Sequence, residues 1–259
     1  FLMIRRPPRS TQAKTLFPLH DALPILTATV KQYGGWAAIT DVLQLTAIDN
    51  NITQATKVLA SQAGRTLDTV TREVLAGGTN VIYAPAGDTA VTSRANLTTA
   101  SVLTPDLIDQ AATALKAQNA DAIGESYVAI VHPYVAYDLR RNPEWIDVHK
   151  YSTPENIYNG EIGTLHGVRF VETSEAKIWK GTGCPTGLAV FSTLILGAHA
   201  YGSTEIEGGG LEHIVKQLGY GDDPLNQRAS VGWKAHKTAE RLVEQYMVRI
   251  ESVSSYSEN

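Results

Sequence analysis

Apolar residues recur at three- and four-residue steps from Leu45 through Ile48, Ile52, Ala55, Leu59, Ala63, Leu67 and Val70 to Val74, the period of a helix that buries one face. The stripe follows Asp41 and stops at Gly77-Gly78, which predicts a helix of about thirty residues and roughly 45 Å. Its polar face is rich in Thr, Asn and Gln and poor in charge, a composition suited to contact with neighbouring protein. Ahead of it, residues 26 to 33 alternate with β-branched side chains and end at Gly34-Gly35, the pattern of an exposed hairpin strand whose partner should lie upstream.

Downstream the period keeps changing. A strand is expected from Asn80 to Ala84, and Thr104-Pro105-Asp106 opens a helix through Leu107, Ile108, Ala111, Leu115 and Ala117. Tyr127 to His132 is almost continuously apolar, as a strand covered on both faces would be. Pro133 then starts a short helix with Val135, Ala136 and Leu139 on one face, stopped by Asn142-Pro143. From Gly160 to Thr173 the chain reads as turn, short strand, turn and longer strand, with Gly160, Gly163 and Gly167 setting the turns. Leu188 to Tyr201 is apolar but for Ser192, Thr193 and His199, leaving strand and helix both open. Arg228 to His236 alternates around Val231 and Trp233, and Met247 to Val253 around Val248 and Ile250. Together these elements predict an α+β protein.

The apolar run ending in His132-Pro133, followed by Gly160-Glu161-Ile162-Gly163-x-Leu165-x-Gly167-Val168-Arg169-Phe170-Val171-Glu172-Thr173, resembles the major capsid proteins of tailed double-stranded-DNA bacteriophages, in the branch typified by a lytic podovirus of enteric bacteria. The resemblance covers about residues 26 to 253. It implies a fold with a long spine helix, a peripheral domain at 44–125 and 229–245, an axial domain at 126–228 and 246–259, and the remnant of an extended loop at 26–43. That loop would reach over a neighbouring subunit, making Thr27, Thr29, Lys31 and Tyr33 the inter-subunit candidates. The implied function is self-assembly into an icosahedral head. Hexamers and pentamers of the chain itself would form the shell, with scaffolding and portal proteins and packaged DNA, bound without sequence specificity, as further partners. Assembly would take place in the host bacterial cytoplasm. The alternatives are an encapsulin-like nanocompartment shell and a soluble enzyme.

Charge changes the picture at one end. Arg5, Arg6, Arg9 and Lys14 against Asp21 give the first 25 residues +3, leaving 18 basic against 25 acidic residues, or −7, in a chain of net charge −4. Such a body is ill suited to gripping phosphates. Residues 1 to 25 share neither period nor composition with the rest and resemble translated sequencing adapter, so a native N-terminal region is expected upstream. No apolar run approaches the ~18 residues of a membrane span. The single cysteine, Cys184, rules out an internal disulfide.

Catalytic signals are weak. The spacing Gly181-x-Gly183-x-x-x-Gly187 lacks the Gly-Lys-Ser/Thr of a phosphate loop, no Gly-x-Ser-x-Gly elbow occurs, and His132, His149, His166, His199, His213 and His236 fall singly. Lys31 lies on the extended-loop remnant, where some capsid relatives carry a lysine linked covalently to asparagine, but nothing around it matches that reaction. No catalytic, cofactor-binding or metal-ligating residue is assigned.

Overall fold

The computed structural model describes residues 27–48, 50–150, 163–204, 209–221 and 223–256. Strand β1, Lys31–Thr40, leads into the short helix α1, Asp41–Thr46, and then the long helix α2, Asn51–Ala76. The helix has 26 residues, hence about 39 Å. The apolar stripe is thus divided between two helices. At the break the Asn50 side chain accepts from Ile52 N and Thr53 N at 3.1 and 3.3 Å, a helix start worth about 1 kcal/mol. Leu45 and Ile48, expected on the buried stripe, lie at the surface.

The chain continues through β2 (Val81–Tyr83), α3 (Pro105–Ala117), β3 (Tyr127–Val131), α4 (Pro133–Arg141) and α5 (Pro143–Lys150). Asn142-Pro143 ends α4 and also begins α5: Asn142 Oδ1 accepts from Glu144 N at 3.0 Å and proline takes the first helical position. Then come β4 (Thr164–Leu165), β5 (Val168–Glu172), β6 (Ile178–Trp179), β7 (Val190–Leu196), β8 (Tyr201–Ser203), β9 (Glu212–Lys216), β10 (Arg228–Lys237), β11 (Ala239–Arg241) and β12 (Met247–Ser252).

Two sheets with cores against α2 flank it, and a third, the antiparallel pair β8-β11, also lies against it. The larger runs β2-β12-β7-β3-β5-β4, with β6 also on β7. Its β7 is buried at every residue, which explains why the run at 188–201 is apolar but for Ser192, Thr193 and His199: a strand covered on both faces has no polar side to alternate with. One face packs Phe191, Ile195, Val248 and Ile250 against α3 and α4; the other packs Leu194, Leu196 and Met247 against Leu75 at the end of α2. Helix α3, grouped by the sequence reading with the long helix, buries Leu107, Ile108, Ala111 and Leu115 in the large sheet's core.

The smaller sheet, β1-β10-β9, has its own core. Ile39, Val231 and Trp233 meet Leu59 and Ala63 of α2. The partner of β1 is therefore downstream, with register from Lys31↔Lys237 to Thr40↔Arg228. The strand runs through Gly34-Gly35 and does not stop there. A Cβ on Gly34 would lie 2.8 Å from the Trp233 carbonyl oxygen, so this glycine permits close strand approach and marks no turn.

Candidate functional site

Polar contacts tie the C-terminal half of α2 to β12 of the large sheet, to β11 of the two-stranded sheet β8-β11 and to Lys177 just before β6, making the helix a strut shared by the sheets around it. Its last carbonyls lack helical partners, and arginines supply them. Arg249 Nη1 donates to Ala76 O and, at 2.8 Å, to Gly78 O, while Arg241 Nη1 donates to Val74 O at 3.0 Å. Positive charge there also complements the negative end of the helix dipole. Behind Arg249 sits the fully buried Glu251, which accepts from Arg249 Nε at 3.0 Å and from Arg94 Nε and Nη2 at 2.7 Å each. The Trp179 ring lies 3.9 Å from the Arg94 guanidinium and 5.4 Å from that of Arg249. The Glu251 hydrogen bond raises the Arg94 pKa, whereas burial lowers that of Arg249 against the attraction of Glu251.

One turn earlier, Glu73 accepts from Lys177 Nζ at 2.7 and 2.8 Å and from Arg72 Nη2 at 2.8 Å. Burial draws the Glu73 carboxyl up, but the hydrogen bonds and charges of Lys177 and Arg72 outweigh it and hold the group below the usual carboxylate range. Glu244 is lowered too, first by the hydrogen bond from Thr79 N, which is 2.5 Å long. A carboxylate depressed in the folded state stabilises the fold above its ordinary pKa, and that contribution is lost as pH falls through the folded value. Stability is therefore expected to drop on acidification from about pH 5 to pH 3, and Glu73→Gln to flatten part of that slope. Equal slopes in urea melts of the two proteins across this range would count against the assignment.

The residues singled out from sequence fall in two places. Thr29, Lys31 and Tyr33 line a cavity of about 460 Å³ with Glu73, Val74 and Glu240, while Thr27 is exposed outside it. Tyr33 also borders an open groove of about 770 Å³ along α2 with Lys57, Val58, Gln62 and Arg65. Gly163, at φ +96°, accepts from Phe170 N at 3.3 Å, and Gly167 ends the two-residue loop between β4 and β5. Gly160 lies outside the described residues. His166 and Gly167 have φ of +51° and +79°, the two left-handed residues of a type I′ hairpin turn. A Cβ on Gly167 would meet nothing within 4 Å, so the cost of a side chain there is conformational. Gly167→Val is expected to lose about 1–3 kcal/mol, and Gly167→Asn much less. Equal melting temperatures for the valine and asparagine variants would contradict this origin.

Outside these places His132 caps α4, its Nδ1 accepting from Tyr134 N at 3.2 Å, and burial lowers its pKa. Cys184 packs beside Val190 and Val253, and burial pushes its thiol up, away from reactivity. Among the described residues no three His, Cys, Asp or Glu side chains gather as metal ligands. Sequence reasoning passed over Arg94, Arg249 and Glu251. The available signal was β12 itself, whose alternation places Arg249 and Glu251 together on one face between apolar neighbours.

The sequence profile of the phage capsid protein family matches residues 25–241. No curated protein matches the chain. Among solved structures, the capsid of Ralstonia phage GP4 is similar at 12% identity and a TM-score of 0.66, over 87% of this chain and 74% of that one. The capsid asymmetric unit of cyanophage Pam1 is similar at 13% identity and a TM-score of 0.65, over 93% and 82%. The SrpI encapsulin of Synechococcus elongatus PCC 7942 is similar at 11% identity and a lower TM-score of 0.54, over 87% and 74%.

Proposed function

The chain belongs to the phage capsid protein family, and from that premise we infer that it is a structural subunit of a phage head, working by self-association and not by catalysis. The family match over residues 25–241 carries the reading. The architecture supports it: a subunit under load from neighbours needs its sheets held at a fixed relation, and a helix tied into the cores of the two larger ones does this. In a closed shell modest contacts are multiplied over every copy by symmetry.

The finer reading is as follows. The subunit forms hexamers and pentamers, with scaffolding and portal proteins as assembly partners and double-stranded DNA inside, and it assembles in the host cytoplasm before residing in the virion. The −7 charge of residues 26–259 favours a wall that does not adhere to DNA passing along it. The motif at 160–173, with the apolar run ending in His132-Pro133, supports placement in the branch typified by a lytic podovirus of enteric bacteria. The peripheral domain comprises α2 with β1, β9 and β10, and the axial domain is built on the large sheet with α3, α4 and α5. Thr27, Thr29, Lys31 and Tyr33 form inter-subunit contacts.

Expression of the chain with its neighbouring phage genes, followed by electron microscopy, tests the function. Self-association into capsid-like assemblies is expected. Particles filled with enzyme cargo would favour the encapsulin reading, and a small oligomer at every concentration would overturn both.

Residues 1–25 are read as non-native sequence, a view supported by the family match beginning at residue 25. Their deletion is expected to leave the melting temperature unchanged within about 1–2 °C, whereas loss of real packing worth 1 kcal/mol would lower it by roughly 2–4 °C.

A further inference from the structure

Beside the core that Leu75 of α2 shares with Leu194 of β7, a cavity of about 200 Å³ lies between the helix and the large sheet. Thr71, Arg72 and Leu75 form its helix wall, brought to one face by the three- and four-residue spacing, and Ile130, Ser192 and Leu194 form its sheet wall. Ile130 and Leu194 are register partners of β3 and β7. Ser192, two residues from Leu194, shares its face of the strand.

Two polar atoms of the lining residues have no partner. Ser192 is 2% exposed and its Oγ is unbonded. Arg72 Nε is buried and unbonded too, although Nη1 donates to Glu175 O at 2.6 Å and Nη2 to Glu73 Oε1 at 2.8 Å. Among the described residues four buried side-chain atoms lack a partner, and these are two of them. Groups of this kind are nearly always bonded, to protein or to something held beside it. Arginine Nε can only donate and a serine hydroxyl can donate as well, so what the pair calls for is an acceptor.

Charge and size narrow the class. Arg72 and Lys177 around the cavity are balanced by Asp68 and Glu175, and Lys177 is already held by Glu73 at 2.7 and 2.8 Å. No net positive charge is left to draw an anion. Leu75, Ile130, Ala176 and Leu194 make much of the surface apolar. A cavity of about 150 Å³ already admits benzene, so this one has room for a ring with a small polar substituent.

We propose that the cavity is a binding site for a small neutral molecule, a benzene-sized apolar body carrying one carbonyl or hydroxyl oxygen. The oxygen supplies the acceptor that Arg72 Nε and Ser192 Oγ lack, and the body covers Leu75, Ile130 and Leu194. Such a ligand bears on α2 and β7 together, so occupancy stabilises the contact between strut and sheet. The site lies within one subunit and is independent of contacts between copies.

The test applies benzamide, benzyl alcohol, benzoate and toluene to the full chain, read by saturation-transfer NMR titration and by thermal melts. Benzamide and benzyl alcohol are expected to raise the melting temperature by about 3–5 °C at ten times their dissociation constants, and to bind at least fivefold more tightly than toluene or benzoate. Ser192→Ala removes an unbonded hydroxyl and orphans no other group, so it should melt no lower than the wild type without ligand, yet bind benzamide at least threefold more weakly. Ala176→Leu, which fills the cavity, should abolish binding; if that variant melts early, the Ser192→Ala affinity decides. Absence of saturable binding to the wild type overturns the site and leaves water as its occupant. Toluene or benzoate binding as tightly as benzamide overturns the stated chemistry, and an unchanged benzamide affinity in Ser192→Ala overturns its placement. Each of these failures leaves the capsid reading standing.

Discussion

Glu251→Ala is expected to cost about 3–5 kcal/mol, the loss found when one partner of a buried ion pair is removed. The figure follows from what remains. Arg94 and Arg249 would stay beside the Trp179 ring without the carboxylate that both of them share, and Arg249 is buried along most of its side chain. Arg249 also holds the Ala76 and Gly78 carbonyls. An arginine freed to seek water would release the end of α2, so the damage should spread from β12 to the strut. Glu251→Gln keeps the volume and one acceptor and should lose less. Urea melts of the three proteins decide between this and a passive role: a loss below about 1 kcal/mol for alanine would place the pair among exposed ion pairs of little worth.

The legible part of the chain was the part whose pattern reflects one local cause. The 3.6-residue period of α2, the proline starts of α3 and α4, and the glycines around β4 and β5 can each be read without knowing what packs on them. Partner choice is a long-range property and was not legible. Residues 26–33 gave no hint that β1 would pair with β10, about two hundred positions away, and Gly34-Gly35 signalled a turn because sequence does not show the Trp233 carbonyl that needs the space. Asn142-Pro143 reads as a stop in the sequence, yet the same two residues start a new helix. The candidate site suffered most, since Arg94, Arg249 and Glu251 acquire meaning only when β12 is placed against the end of α2. The family resemblance, carried by a motif spread over one strand and one hairpin, reached further than any single element did.

Trp233→Ala is expected to remove about 3–5 kcal/mol, as large-to-small core changes do, and to remove it unevenly. Trp233 is 5% exposed and belongs to a core whose other buried members are Ile39, Leu59, Ala63, Ala229, Val231 and Ala235. Three of those six are alanines, so the indole supplies a large share of the apolar surface between α2 and the smaller sheet. The core of the large sheet contains Phe191, Ile195, Val248 and Ile250 and does not include this residue. If the two cores are separately cooperative, β1, β9 and β10 should open while β3, β7 and β12 keep their protection. Hydrogen exchange read by mass spectrometry measures this directly, and fast exchange confined to the smaller sheet is the expected pattern. Uniform loss of protection across both sheets would show that α2 couples them into one folding unit.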